Sequence, residues 1–204
     1  MGERICHIVG AGPFCRRGPE PGPADLVIAA DGGYGHLLRW GLGADLVVGD
    51  FDSGPAPEHP RLIRLPREKD ETDMAAAVAL GRERGYRLFH LYGGLGGLLD
   101  HTLANLQLLC GMAARGERGF LLDDGVVVTA IQNTAFRLPP GPRGRVSVFA
   151  QGGPARGVTL TGLRYPLENA ALSDTFPLGV SNETTGGPAT VGVEAGRLLI
   201  IYPR

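Results

Sequence analysis

The chain has 204 residues, 43% hydrophobic and 20% charged, enough for one large domain or two small ones with a proper core. A formal net charge of −1 excludes a global field that would draw it to nucleic acid or to an anionic membrane. Its three cysteines contain no CxxC pair, which argues against a zinc knuckle and a disulfide framework, and no apolar run approaches the length needed to cross a bilayer.

The first part of the chain alternates strand-like runs with helical patterns. Apolar or mixed runs of strand length fall at 5–9, 26–30, 46–48, 62–65, 88–92 and 120–122. Between them, 34–40, 73–84 and 101–114 carry helical spacing, the last with Leu103, Leu106, Leu109 and Cys110 on one stripe. Such alternation predicts a mostly parallel, Rossmann-like sheet covered by helices. From about Gly125 the helical period disappears. Short strands are predicted at 126–131, 135–138, 145–150, 157–161, 170–172, 180–182, 190–193 and 198–202, separated by Pro and Gly turns. That pattern predicts an all-β sandwich. We therefore expect an α/β domain over 1–124 and a β-sandwich over 125–204. The N-terminus enters the first strand directly, so a cytoplasmic location is expected.

Acids and glycines gather just after the predicted parallel strands, where open α/β sheets bind their ligands. Asp31-Gly32-Gly33 follows the second strand, and Asp50-Phe51-Asp52-Ser53 follows the third. Paired carboxylates suit a hard, oxygen-seeking cation, although solvated turn acids also look like this. Lys69-Asp70-Glu71-Thr72-Asp73 enters a helix, where acids and Thr also serve as caps. Gly93, Gly94, Gly96 and Gly97 lie before Asp100 and His101, in a loop able to present backbone amides to phosphate. No P-loop is present, and Gly10-Ala11-Gly12 is not completed to a dinucleotide fingerprint, because Cys15 stands at the third glycine position. A basic run, Arg61, Arg64, Arg67 and Lys69, reads as a phosphate-facing or solvated edge. Taken together the set suits phosphoryl transfer, which requires neutralised oxygens and close backbone approach but little covalent chemistry from side chains.

In order, DGG at 31–33, GDFDS at 49–53, KDETD at 69–73 and GGLLDHTLANL at 96–106 resemble the N-terminal motifs of the thiamine pyrophosphokinase family. GVTLTGLRYPLENAAL at 157–172 and GVSNE at 179–183 resemble its C-terminal motifs. The resemblance implies a Mg²⁺-dependent transfer of pyrophosphate from ATP to thiamine by a homodimer with interfacial active sites. It implies Asp50, Asp52 and Asp73 as magnesium ligands. Asp31, Asp70, Thr72 and Asp100 would position the phosphates or the attacking hydroxyl, with Gly32, Gly33, Lys69, Gly96, Gly97 and His101 around the nucleotide. Ser181 and Asn182 of the partner's sandwich would hold the thiamine pyrimidine. Where the family usually carries Arg after the double glycine, this chain has Leu98, so another base such as Lys69 or Arg67 substitutes, or turnover is weaker. Two further readings stay open: another acceptor alcohol such as a hydroxymethylpterin, and a binding protein with weakened turnover.

Overall fold

A computed structural model describes residues 2–52, 54–68, 70–139, 141 and 143–204. It is mixed α/β and separates into two compact units. The first comprises Met1–Leu108 and Leu121–Asp124, the second Leu109–Phe120 and Gly125–Arg204.

The first unit begins with β1 (Ile5–Val9), β2 (Leu26–Ala30), α1 (Gly33–Arg39) and β3 (Leu46–Gly49). It continues through β4 (Leu62–Arg64), α2 (Asp73–Glu83), β5 (Leu88–Tyr92) and the first turns of α3 (Leu99–Ala114), and β6 (Arg118–Leu122) ends in it. The strands run in the order β6-β5-β1-β2-β3-β4, and every pair from β5 to β4 is parallel. Parallel strands covered on both faces are apolar throughout, as Ile8, Val9, Ile28, Ala29, Val47, Val48, Phe89 and Leu91 show by being fully buried. Helix α2 packs on β1, β2 and β3 through its buried Met74, Ala77 and Val78. Thr72 caps it by accepting the Ala75 amide at 3.2 Å. Helix α3 starts two residues before the expected position, because the Leu98 carbonyl already accepts the Thr102 amide at 3.0 Å.

The second unit is strand-rich. It contains β7 (Val126–Gln132), β8 (Ala135–Arg137), β9 (Arg145–Ala150) and β10 (Ala155–Thr161). After these come β11 (Leu167–Leu172), β12 (Asn182–Glu183), β13 (Thr190–Gly192) and β14 (Arg197–Pro203). Strands β7-β14-β9-β12 are antiparallel neighbours, and β11-β10-β13-β8 form a separate antiparallel sheet. β9 and β14 are buried along most of their length, through residues that include Val146, Val148, Leu198, Ile200 and Tyr202. Phe136 of β8 meets Tyr202 of β14 with ring centroids 5.6 Å apart, so apolar side chains join the two sheets. No helix of the described residues is long and apolar enough to cross a membrane.

One buried polar group makes the first unit sensitive to acid. His7, on β1, is 2% exposed, pairs with His90 in the β1–β5 register and lies 3.4 Å from the Asp25 carboxylate through Nε2. Its Nδ1 is buried without a hydrogen-bond partner among the described residues. Burial holds the imidazole below the ordinary histidine pKa of 6.5, against the opposing pull of Asp25. The unfolded chain therefore takes up this proton first as pH falls, so the fold is undiminished above 6.5 and loses stability below it. His7→Gln is expected to flatten the decline in urea midpoint as pH falls below 6.5. An unchanged slope would show that His7 is not the group responsible.

Candidate active site

Two of the acids expected to act, Asp31 and Asp50, sit at the carboxyl ends of parallel strands. Asp31 follows β2, and its amide donates to the Val48 carbonyl of β3 at 2.8 Å, which ties two neighbouring strand ends together. Two glycines make this approach possible. A Cβ at Gly33 would overlap the Val9 carbonyl, and one at Gly49 would lie 3.0 Å from the Asp31 Cα. Asp31 itself is left-handed, φ 49°, a conformation that Asp adopts more readily than most side chains. Beyond β3, Phe51 is also left-handed at φ 55°, with its ring buried in the cluster around Val9, Val27, Ala29 and Leu37. That apolar anchor turns the loop so that Asp50, on one side of it, faces Asp31. Asp73 arrives from the first turn of α2.

Ligand oxygens of Asp31, Asp50 and Asp73 all lie within 4.8 Å of one another, each residue being partly buried. Burial pushes the Asp31 carboxyl above its ordinary pKa, a Gly32 amide pulls it back, and the charges of Asp73, Asp50 and Asp52 push it up again. Three carboxylates held this closely destabilise one another unless a cation joins them. Their oxygen donors fit a hard divalent ion such as magnesium.

The other expected residues are distributed around this group. Asp52 is exposed and outside the three-acid cluster; its amide donates to the Asp50 carboxylate at 3.2 Å. Asp70 is exposed just before α2, and Thr72 is occupied as that helix's cap. Asp100 and His101 are exposed in the first turn of α3, the Asp100 carboxylate accepting the His101 amide at 2.8 Å. Gly32 precedes α1, while Gly96, φ 74°, and Gly97 lie in the exposed part of the loop after β5. Leu98 is 68% exposed beside them. Lys69 and Ser53 lie outside the described residues.

The motifs assign no role to two supports, although Asn105 lies within 96–106. Buried Asn105 of α3 donates to the Gly94 carbonyl at 2.9 Å and so holds the glycine loop from beneath. The Gly12 amide donates to the Gly93 carbonyl at 3.1 Å, binding the loop after β1 to the same segment. An Asn at a helix position otherwise facing the core was the available signal for the first.

In the second unit, Ser181 is exposed and left-handed at φ 61°, with its amide on the Ser147 hydroxyl at 3.1 Å. Asn182 is 5% exposed, and its side chain is committed to main chain. Its Oδ1 accepts the Tyr165 amide at 3.0 Å and the Glu183 amide at 2.9 Å, while its Nδ2 donates to the Tyr165 carbonyl at 2.6 Å. Of the two residues, Ser181 presents its side chain and Asn182 holds the turn.

Residues 22–120 match the family model described as thiamin pyrophosphokinase, catalytic domain. Residues 136–198 match the one described as thiamin pyrophosphokinase, vitamin B1 binding domain. The chain belongs to the thiamin pyrophosphokinase family. Thiamine pyrophosphokinase of Bacillus subtilis (strain 168) is 29% identical over 191 residues, covering 86% of each chain. The crystal structure of thiamin pyrophosphokinase from Geobacillus thermodenitrificans is 31% identical with a TM-score of 0.84, over 98% of this chain and 97% of that one. A crystal structure of the Bacillus subtilis enzyme superposes with a TM-score of 0.86 at 24% identity, over 98% of both chains, which is a likeness of fold. The three-acid cluster lies wholly within the catalytic match, and Ser181 and Asn182 lie within the vitamin-binding match.

Proposed function

We propose that this chain transfers a pyrophosphoryl group from ATP to the hydroxyl of thiamine, giving thiamine diphosphate and AMP, at the carboxylate cluster of the first unit. The observation that carries this reading is the convergence of Asp31, Asp50 and Asp73 from three separate segments onto one point. The match of 136–198 to a vitamin B1 binding domain supports thiamine over another acceptor alcohol.

In this mechanism Asp31, Asp50 and Asp73 would hold a magnesium ion, with Asp52 adding charge from the exposed side. When bound, the ion neutralises phosphate oxygens. Asp70 and Asp100 flank the phosphates and the incoming hydroxyl, and Thr72 keeps the start of α2 in place. Gly32, Gly33, Gly96, Gly97 and His101 line the nucleotide, the glycines admitting close backbone approach. The thiamine hydroxyl oxygen bonds to the β-phosphorus as the bond between that phosphorus and the bridging oxygen of AMP breaks. The hydroxyl proton passes to a carboxylate oxygen of Asp70 or Asp100, which flank it.

Ser181 contacts the pyrimidine, and Asn182 fixes the turn that carries Ser181. Phe136 against Tyr202, a contact between strands of the two antiparallel sheets, supports a two-layer sandwich for the second unit. The family resemblance supports a homodimer in which a partner's second unit brings Ser181 to the acids. Incubation with ATP, Mg²⁺ and thiamine is expected to release AMP and thiamine diphosphate in equal amounts. ADP as the sole nucleotide product, or tight thiamine binding by folded protein with no AMP, would overturn the reading.

A further inference from the structure

We propose that Arg64 is a positioning residue for Asp50, clamping the loop after β3 in the one conformation that brings its carboxylate to Asp31 and Asp73. The inference rests on the reading of those acids as a divalent-cation site.

Arg64 ends β4, opposite Gly49 in the parallel register, and the ladder continues one step further through Leu65, whose amide donates to the Gly49 carbonyl at 2.9 Å. This places the Arg64 side chain at the root of the acid loop. Nη1 donates to the main-chain carbonyl of Asp50 at 3.4 Å, and the guanidinium carbon lies 5.4 Å from the centroid of the Phe51 ring. One planar group thus holds two consecutive residues of the loop, one by its backbone and one by its ring.

The loop requires such a hold. Phe51 is left-handed, φ 55°, where a bulky side chain is disfavoured, and it stays there because its ring is captured. The core cluster takes the ring from the interior, and the exposed Arg64 takes it from outside. Since the hydrogen bond goes to a carbonyl, Arg64 fixes the path of the chain through Asp50. A lysine cannot do the same, because it has neither the flat face nor the forked donors.

Positioning and simple charge predict opposite signs. Removing a cation beside carboxylates strengthens their hold on a divalent ion if charge alone is at work. Releasing Asp50 from its place weakens it. The test is a Mn²⁺ titration of the full chain without nucleotide, read from the free-ion signal in electron paramagnetic resonance, with a melting curve for each variant. Arg64→Gln and Arg64→Lys are both expected to bind Mn²⁺ about tenfold more weakly, with kcat lowered and the KM for thiamine unchanged.

Tighter Mn²⁺ binding in Arg64→Gln, or wild-type binding in Arg64→Lys, overturns the inference in favour of charge. Unchanged Mn²⁺ binding with a raised KM for ATP overturns it in favour of direct phosphate contact. Asp50→Asn separates the two levels of the argument: wild-type Mn²⁺ affinity in that variant means the cation site itself is misplaced. Weak binding there with wild-type binding in both Arg64 variants removes only the role given to Arg64.

Discussion

Asp31→Asn is expected to lower kcat/KM by on the order of 10²–10³-fold and, in metal-free buffer, to raise the melting temperature. The two effects share one cause. Burial, together with the charges of Asp73, Asp50 and Asp52, raises the Asp31 pKa in the folded state. For an acid, this means that the unfolded chain loses its proton first as pH rises. Stability is therefore full below the unfolded value of 3.8 and has been lost once pH passes the raised folded value. At neutral pH the ionised Asp31 is a burden on the fold. Asparagine keeps the shape, accepts the same amide and tolerates the left-handed backbone at φ 49°, but carries no charge.

Each kcal/mol of repulsion relieved corresponds to about 2–4 °C in a chain of this size. With saturating Mg²⁺ the difference is expected to close, because an ion held by native carboxylates stabilises only the protein that binds it. Melting curves with chelator and with Mg²⁺, alongside AMP release, check all three parts. An Asp31→Asn variant that is inactive and no more stable without metal would mean that the acids do not strain one another.

Asn182→Ala is expected to act on the other substrate. Truncation leaves the amide and carbonyl of Tyr165 and the amide of Glu183, all in part-buried hydrogen bonds, without their partner. Groups left this way cost roughly 1–3 kcal/mol each when buried and less where water reaches them, as at the exposed Tyr165 and Glu183, so a loss of about 1–3 kcal/mol is expected, or about 2–12 °C. Ser181 is the neighbour whose conformation depends on this turn, and its φ of 61° is unfavourable without it. The KM for thiamine should therefore rise by about tenfold while the KM for ATP stays as it was. Separate thiamine and ATP titrations, run well below the melting temperature, decide it. A destabilised variant with an unchanged KM for thiamine would confine Asn182 to a structural role.

These expectations separate what the linear sequence conveys from what it leaves out. Continuous apolar runs such as 26–30 and 88–92 are legible as parallel strands because such strands are buried on both faces. The change at about Gly125 is legible because turns and short strands replace helical periodicity. Less legible is 180–182, where a strand was expected and only Asn182–Glu183 pairs with β9, since Ser181 is left-handed and breaks the extended path.

The site shows the same division. Its acids are visible as residue types after strands, but their grouping depends on backbone turns at Asp31 and Phe51 that spacing does not encode. For that reason Asp31, expected among the phosphate contacts, stands beside Asp50 and Asp73, and Asp52 stands outside them. Asn182 is legible as polar, whereas its inward commitment to Tyr165 is a property of the folded turn.

The strand order also sets a timetable. β1 is made first but lies between β5 and β2, so its inner edge stays open until Leu88–Tyr92 has been synthesised. Gly12 likewise waits for the Gly93 carbonyl that secures the loop after β1. On the ribosome, Asp31, Asp50 and Asp73 therefore emerge as scattered charges on an incomplete sheet. The strand at the centre of this sheet is paired on both edges only after the fifth has slotted in beside it.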